Sequence, residues 1–270
     1  MSDSYDTPIS IRMKRIGELL IQDMRLDGRG LLDYREIKAE TGIVGKANGS
    51  ALVSLGKTKV MVGIKVETGT PFPDSPEDGV LTVNAELVPL ASPSFETGPP
   101  GEKAIELARV VDRGIRESKA IDTKKLCIVP EKKVFVVFID IYVLDHDGNL
   151  FDASALASML ALSTAKIREF ETKDDAIVYK ENLVSLPLQN HVFEVTMAKI
   201  GDKLVVDPSL EEESAVDAQI TIAVDDNNMI CATQKSRTGV FTTTDILQAV
   251  KIAQAKATEL REKILGGKQE

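Results

Sequence analysis

The chain alternates short apolar runs rich in β-branched residues with segments of helical periodicity. Residues 9–24, ISIRMKRIGELLIQDM, predict a short helix closed by RLDGRG, where Gly28 suits a C-terminal cap. Gly49 and Gly56 punctuate GSALVSLGKTKVMVGIKVE, which predicts hairpin-connected strands. TPFPDSPEDG, residues 70–79, is a Pro-rich acidic loop; VLTVNAELVPL is another strand and SPSFETGPPGE a second loop. Pro99 and Pro100 lead into a helix from Glu102 to about Ala120. Strands near 125–129 and 133–144 precede a helix of small residues from 152 to about 168. In the second half, strands are expected at 176–180, 192–199, 203–207, 216–224 and 229–235. Ile246, Ala249, Val250, Ala253, Ala257, Leu260 and Ile264 then recur at helical spacing and predict an amphipathic helix from Thr244 to about Leu265. No Gly- or Ser-rich linker divides the chain. The pattern predicts an α/β protein, with two βαβ-type halves at about 30–170 and 171–265 packed as a single domain over residues 1–270.

Composition narrows the function classes. Of the 270 residues 43% are hydrophobic, enough for a proper core, and the formal charge of −9 argues against a protein coated in nucleic acid. A local basic patch remains compatible with that charge, because particular side chains make phosphate contacts. Cys127 and Cys231 lie in the apolar stretches KKLCIVP and NMICATQ and read as buried thiols of a reducing cytoplasm. They have no metal-ligand spacing, and no metal or cofactor is expected. His146 and His191 are far apart, which argues against a zinc enzyme or a Ser-His-Asp hydrolase. The N-terminus lacks the apolar core of a signal peptide. The longest apolar run, VFVVFIDIYVL, has eleven residues including Asp140 and falls short of the roughly 20 needed to span a bilayer. The chain is expected to be soluble, cytoplasmic and free of membrane contacts.

Three stretches could carry chemistry. In VLDHDGNLFDASALASML, a strand ends near Leu144, a Gly-containing turn follows, and a helix begins near Asp152. Strand, turn and helix start make an anion cradle, since the helix offers unpaired N–H groups and a partial positive charge. Yet the turn holds Asp145, Asp147, Asp152 and Phe151 and no basic residue. The second stretch is the helix after Pro100. It gathers Arg109, Arg113 and Arg116 in one arc, opposite Ala104, Leu107, Ala108, Val111 and Ile115. On helix statistics alone, pairs such as Asp112–Arg116 and Arg113–Glu117 are the commoner reading. Residues 99–133, however, hold nine Lys and Arg against six acids, which shifts the reading towards a groove that binds RNA phosphates. Third, residues 207–226 contain seven acids and no base. Alone they read as an acidic surface loop, with Asp217 set apart at the start of the strand AQITIAV.

Together these motifs resemble a known family. RLDGRGLLDYR, NGSALVSLGKTKVMVGI, GPPGEKAIELARVVDRGIRESKAID and VVDPSLEEESAVDA are similar to the ordered motifs of the RNase PH superfamily. Within it they look like the branch of non-catalytic ring subunits of the archaeal exosome, over about residues 15–260. The resemblance implies the RNase PH fold. It also implies a hexameric ring of three heterodimers with a catalytic RNase PH-like subunit, a cap of RNA-binding subunits, and single-stranded RNA degraded 3′→5′ by the partner. Active relatives hold inorganic phosphate at a Gly-Ser/Thr-Arg triplet that here aligns with Asn149, Leu150 and Phe151. The resemblance therefore implies a lost phosphate site, with the three acids adding repulsion. Asp217 matches the family's catalytic Asp and is read as a remnant. Arg109, Arg113 and Arg116 are expected to hold RNA. An active phosphate-dependent exoribonuclease with a rearranged site, in which Arg113 substitutes for the missing base, is the alternative; an RNA-independent scaffold is a third reading.

Overall fold

The structure, a computed structural model, describes residues 9–173 and 176–266. Residues 1–8, read above as free of a signal-peptide pattern, lie outside the described residues. The first half contains α1 (Ile9–Ile21), β1 (Ile37–Thr41), β2 (Gly49–Leu55), β3 (Thr58–Gly69), β4 (Val80–Leu87), α2 (Glu102–Glu117), β5 (Cys127–Val129), β6 (Lys133–Asp145) and α3 (Leu150–Thr164). The second contains β7 (Lys166–Lys173), β8 (Ala176–Ser185), β9 (Val192–Ile200), β10 (Lys203–Val206), α4 (Leu210–Glu213), β11 (Ala218–Asp225), β12 (Ile230–Ser236) and α5 (Thr243–Leu265).

One sheet has the order β1-β2-β3-β6-β4 with β5 also on β6, a second has the order β10-β9-β11-β12, and β7 pairs β8. β4 joins β6 in parallel, with α2 in the crossover. The second-half strands pair antiparallel instead. They form three hairpins, β7–β8, β9–β10 and β11–β12, with β9 also antiparallel to β11, so among the described residues this half has no parallel βαβ crossover. α3 lies between the two sheets, against β2 and β3 on one side and β9 on the other. That placement explains its small, apolar sequence: every residue from Asp152 to Leu162 is buried. The helix ends where Gly49 passes so close that an added Cβ would lie 2.7 Å from the Ala165 Cα. All of β9 except Lys199 is buried.

Several expected boundaries move. α1 stops at Ile21, and the left-handed residue after it is Asp23 (φ 56), not Gly28. Asp23 N–H donates to Leu20 O and Met24 N–H to Leu19 O, a Schellman closure that satisfies the last carbonyls. α2 closes the same way on Lys119 (φ 52), one residue before the expected end. α3 yields to β7 at Lys166 instead of continuing to 168. Ile246 is exposed and Ile252 is buried in its place on α5. Neither cysteine is buried, because Cys127 starts the short β5 and Cys231 lies on the edge strand β12.

The segment RLDGRGLLDYR ties the two halves together. Asp207 is fully buried at φ 52. Its carboxylate accepts from Arg35 Nε (2.9 Å) and Nη2 (2.7 Å), Arg35 N–H (2.9 Å), Arg29 Nη1 (2.9 Å) and Asn149 Nδ2 (2.9 Å). Arg25 donates to Val206 O (2.8 Å), Asp207 O (2.9 Å) and the buried Glu212 carboxylate (Nε to Oε1, 2.8 Å). The expected acidic loop is thus only partly a loop. Ser209 and Glu212 form a capping box on the short helix α4, leaving Glu211 exposed, Glu212 buried and Glu213 between them. Removing one partner from a buried charge network leaves the others uncompensated. Asp207→Ala should therefore cost about 3–5 kcal/mol in urea unfolding. Glu211→Ala, one turn of chain away and exposed, should change it by less than about 0.5 kcal/mol. Equal midpoints for the two variants would contradict this account.

Candidate functional site

The turn between β6 and α3 is held from below. Arg35 Nη1 donates to Asp147 O (2.6 Å), Arg35 Nη2 to Gly148 O (3.1 Å) and Thr58 Oγ1 to Gly148 O (2.7 Å). Gly148 (φ 92) passes the 208–210 backbone so closely that a Cβ would sit 2.5 Å from Leu210 N, so only glycine fits. Asn149 follows at φ 51 as the N-cap of α3, without a side-chain capping bond. With the carbonyls drawn inward, the Asn149 N–H is free to meet an anion. It donates to Glu213 Oε1 at 2.8 Å. The chain's own carboxylate fills the cradle.

Glu213 lines a cavity of about 270 Å³ together with Leu107, Leu150, Phe151, Lys103 and Arg237. Burial pushes the Glu213 carboxyl above its ordinary pKa, opposed by the Asn149 N–H and by Arg237, Arg35 and Lys103. His146, on the same wall, is stacked on Phe95 with ring centroids 5.2 Å apart. Burial, then Lys103 and Arg35, lower its pKa to about 4, so it brings no positive charge at neutral pH. Leu150 and Phe151 occupy the first turn of the helix where a hydroxyl and a guanidinium would be needed to hold phosphate.

The three acids of the turn do not crowd this cavity as expected. Asp145 is exposed, and Asp147 lies 3.7 Å from Arg35 Nη1. Asp152 points into the protein, where its Oδ2 accepts from Tyr34 OH (2.8 Å), Asn149 Nδ2 (2.9 Å) and Thr196 N–H (3.1 Å). The acid at the cradle is Glu213, which the sequence alone does not distinguish from Glu211 and Glu212. Asp217 stands directly before β11, at the strand start where the sequence puts it. It is exposed, its carboxylate accepts from Gly201 N–H (2.8 Å) at the β9–β10 turn, and Gln219, two residues on, lines the cavity with Phe151.

On α2, the predicted stripe of Ala104, Leu107, Ala108, Val111 and Ile115 is buried, and Arg109, Arg113 and Arg116 are exposed together. They differ in what holds them. Arg116 pairs with Asp112 (2.6 Å) and donates to Leu81 O (3.2 Å). Arg113 donates to Gln234 Oε1 (3.2 Å) across to β12, and the expected Arg113–Glu117 pair does not form. Arg109 has no ion pair or hydrogen bond among the described residues. The helix lies close on β9 because Gly114 leaves room for Glu194, whose Oε1 would be 2.4 Å from an added Cβ. Glu194 is itself buried with Oε2 unpartnered. Burial, then the nearby Asp152, raise its pKa well above the ordinary value, which disfavours the charged form. The only sequence signal for it is one acid inside the apolar run VFEVTM. Among the described residues, no group of three or more His, Cys, Asp or Glu is arranged to hold a metal ion.

Comparison with known proteins places this geometry among relatives. Residues 33–168 match domain 1 of the 3′ exoribonuclease family, RNase PH, and residues 190–256 match domain 2. A protein of Thermococcus onnurineus, the exosome complex component Rrp42, is 52% identical over 258 residues, covering 95% of each chain. A chain of the Archaeoglobus fulgidus exosome with RNA bound to the active site is 44% identical with a TM-score of 0.87, covering 94% of this chain and 98% of that one. A chain of an archaeal exosome core is 40% identical with a TM-score of 0.84, covering 94% and 96%.

The buried Asp152 makes a pH test of this architecture. Burial raises its pKa from 3.8 to about 6, against the hydrogen bonds that lower it. The folded state then binds the proton more tightly than the unfolded one. The associated stability is fully present below about pH 4 and is lost as pH rises through about 6, a change of about 3 kcal/mol. In Asp152→Asn that share of the slope between pH 4 and 7 should vanish from urea-unfolding curves. An unchanged slope would mean that Asp152 does not carry it.

Proposed function

The chain belongs to the 3′ exoribonuclease family, and on that footing we propose that it is a non-catalytic ring subunit of an archaeal-type exosome, acting in the cytoplasm. It alternates with a catalytic RNase PH-like subunit in a six-membered ring beneath a cap of RNA-binding subunits. The partner carries out 3′→5′ phosphorolysis, while this subunit shapes its active site and presents Arg109, Arg113 and Arg116 to single-stranded RNA. The full-length likeness to exosome components in two comparisons supports the assembly. The observation that carries the non-catalytic reading is the filled cradle: Glu213 takes the Asn149 N–H, beside Leu150 and Phe151. Phosphorolysis needs the attacking phosphate bound and aligned. A resident carboxylate and a phenyl ring oppose both.

A second reading, an active enzyme with a rearranged site, draws on one feature. Lys103 and Arg237 line the cavity and could supply cations that Phe151 lacks. Arg113, the substitute expected from sequence, lines a separate small void beside Glu194 and Gln234 and is no longer the choice.

The deciding measurement is phosphate-dependent release of nucleoside diphosphate from single-stranded RNA by this chain alone, by the partner alone and by their mixture. No release by the chain alone and a gain in the mixture over the partner are expected. Release by the chain alone, abolished by Lys103→Ala or Arg237→Ala, would establish the second reading instead. In the assembled ring, the double variant Arg109→Glu/Arg113→Glu should bind RNA more weakly. If two phosphate contacts are lost, the slope of log affinity against log salt should fall by about 1.4. Unchanged affinity and slope would favour the RNA-independent scaffold.

A further inference from the structure

We infer that the groove at the C-terminal end of α2 is a subsite for one base of a single-stranded RNA, with Phe72 as the stacking surface and Arg116 and Lys119 holding the adjoining phosphate. The inference rests on the RNA-binding reading of α2. The groove has a volume of about 210 Å³ and is lined by Phe72, Leu81, Ile115, Arg116, Lys119 and Ile121, with Asp78 and Thr123 among its polar residues. Sites for drug-sized ligands run from about 300 Å³ upward, so this one suits a single ring system and leaves sugar and phosphate at the rim.

Each part fits that occupant. Phe72 is 55% exposed, a costly state for a phenyl ring in a chain with few aromatic residues. Pro71 and Pro73 flank it and fix the backbone φ on either side, so the ring is presented with little entropy left to lose on binding. Leu81, Ile115 and Ile121 are buried and give the groove an apolar floor. Arg116 is held at the rim by Asp112 and by Leu81 O. Lys119, fixed at φ 52 by the helix closure, is exposed and has no ion-pair partner among the described residues. The Pro-rich loop is acidic, and of its acids Asp78 is in the groove's lining. One oxygen of the Asp78 carboxylate is taken up by Thr123 Oγ1 (2.9 Å).

Position adds a second argument. Arg116 belongs both to the groove and to the exposed arginine row of α2. Seven residues separate Arg109 from Arg116, roughly 10 Å along the helix axis. A strand whose phosphates follow that row reaches the groove at its end, where it meets an aromatic face. Aromatic rings interleaved with cations are what single-stranded nucleic acid binds without regard to sequence.

The test uses rings reconstituted with the catalytic RNase PH-like partner and a single-stranded RNA. Phe72→Ala should lower affinity about 5- to 100-fold, and Phe72→Trp should retain it. Lys119→Glu should weaken binding and flatten its salt dependence, whereas Phe72→Ala should leave the salt slope unchanged. RNA with a run of abasic positions should bind the parent and Phe72→Ala rings alike. If Phe72→Ala binds normally while Arg109→Glu/Arg113→Glu loses affinity, the base subsite is wrong and the arginine row stands. If neither variant loses affinity, both readings fail. If Phe72→Ala impairs ring assembly while assembled rings bind RNA normally, the groove is a protein contact and the proposal is overturned.

Discussion

The buried carboxylate of Asp207 is the constraint on which the rest of the molecule depends. It stands where three separate pieces of chain meet: the segment holding Arg29 and Arg35, the turn ending in Asn149, and the start of α4. A carboxylate taken out of water is costly, and this one is compensated by donors that fill both oxygens. Such a network adds little net stability compared with an apolar core, but it tolerates only one relative placement of its parts. That is its value here. The halves of the chain meet in a register set by forked guanidinium groups, and the turn before α3 inherits that register.

The same network holds the anion-cradle shape of the turn before α3 from within the fold. Arg35 and Thr58 hold the carbonyls of Asp147 and Gly148 from inside the fold, so the turn does not need a bound anion to keep its conformation. With Leu150 and Phe151 in the first helical turn, the outward N–H of Asn149 still needs an acceptor. Glu213 supplies it from the end of α4, whose position is itself set by Arg25 and Glu212. The acids in the turn serve other ends: Asp152 belongs to the interior under β9, and Asp145 to solvent.

Much of the fold was legible because burial imposes periodicity. The strands of the first sheet, the buried stripe of α2 and the uniformly small α3 all leave that mark in the sequence. What stayed hidden lacks it. β1, IKAET, is polar and mostly exposed, so only its pairing with β2 makes it a strand. β7 begins with Lys166, Ile167 and Arg168, residues that read as a continuing helix until the close approach of Gly49 ends α3. The resemblance identified the family, yet within one acidic stretch it did not point to Glu213. Spacing along a chain does not reveal which of several carboxylates faces inward, and long-range donors such as Arg25 and Asn149 decide it.

The proposed binding of RNA by an acidic protein is less paradoxical once its charges are located. Asp207 and Glu212 are matched inside by arginines, and burial disfavours charge on Asp152, Glu194 and Glu213. Exposed acids elsewhere act through water, and at physiological salt their influence falls off over about 8 Å. A phosphate approaching α2 therefore senses mainly the side chains of that helix. Those are not equivalent. Arg116 already spends its fork on Asp112, and Arg113 must give up or share Gln234. Arg109 has no such partner, so binding there forfeits no internal contact. On this geometry Arg109 should contribute most per contact, while Arg116, rigid but partly neutralised, serves more to orient the strand than to attract it.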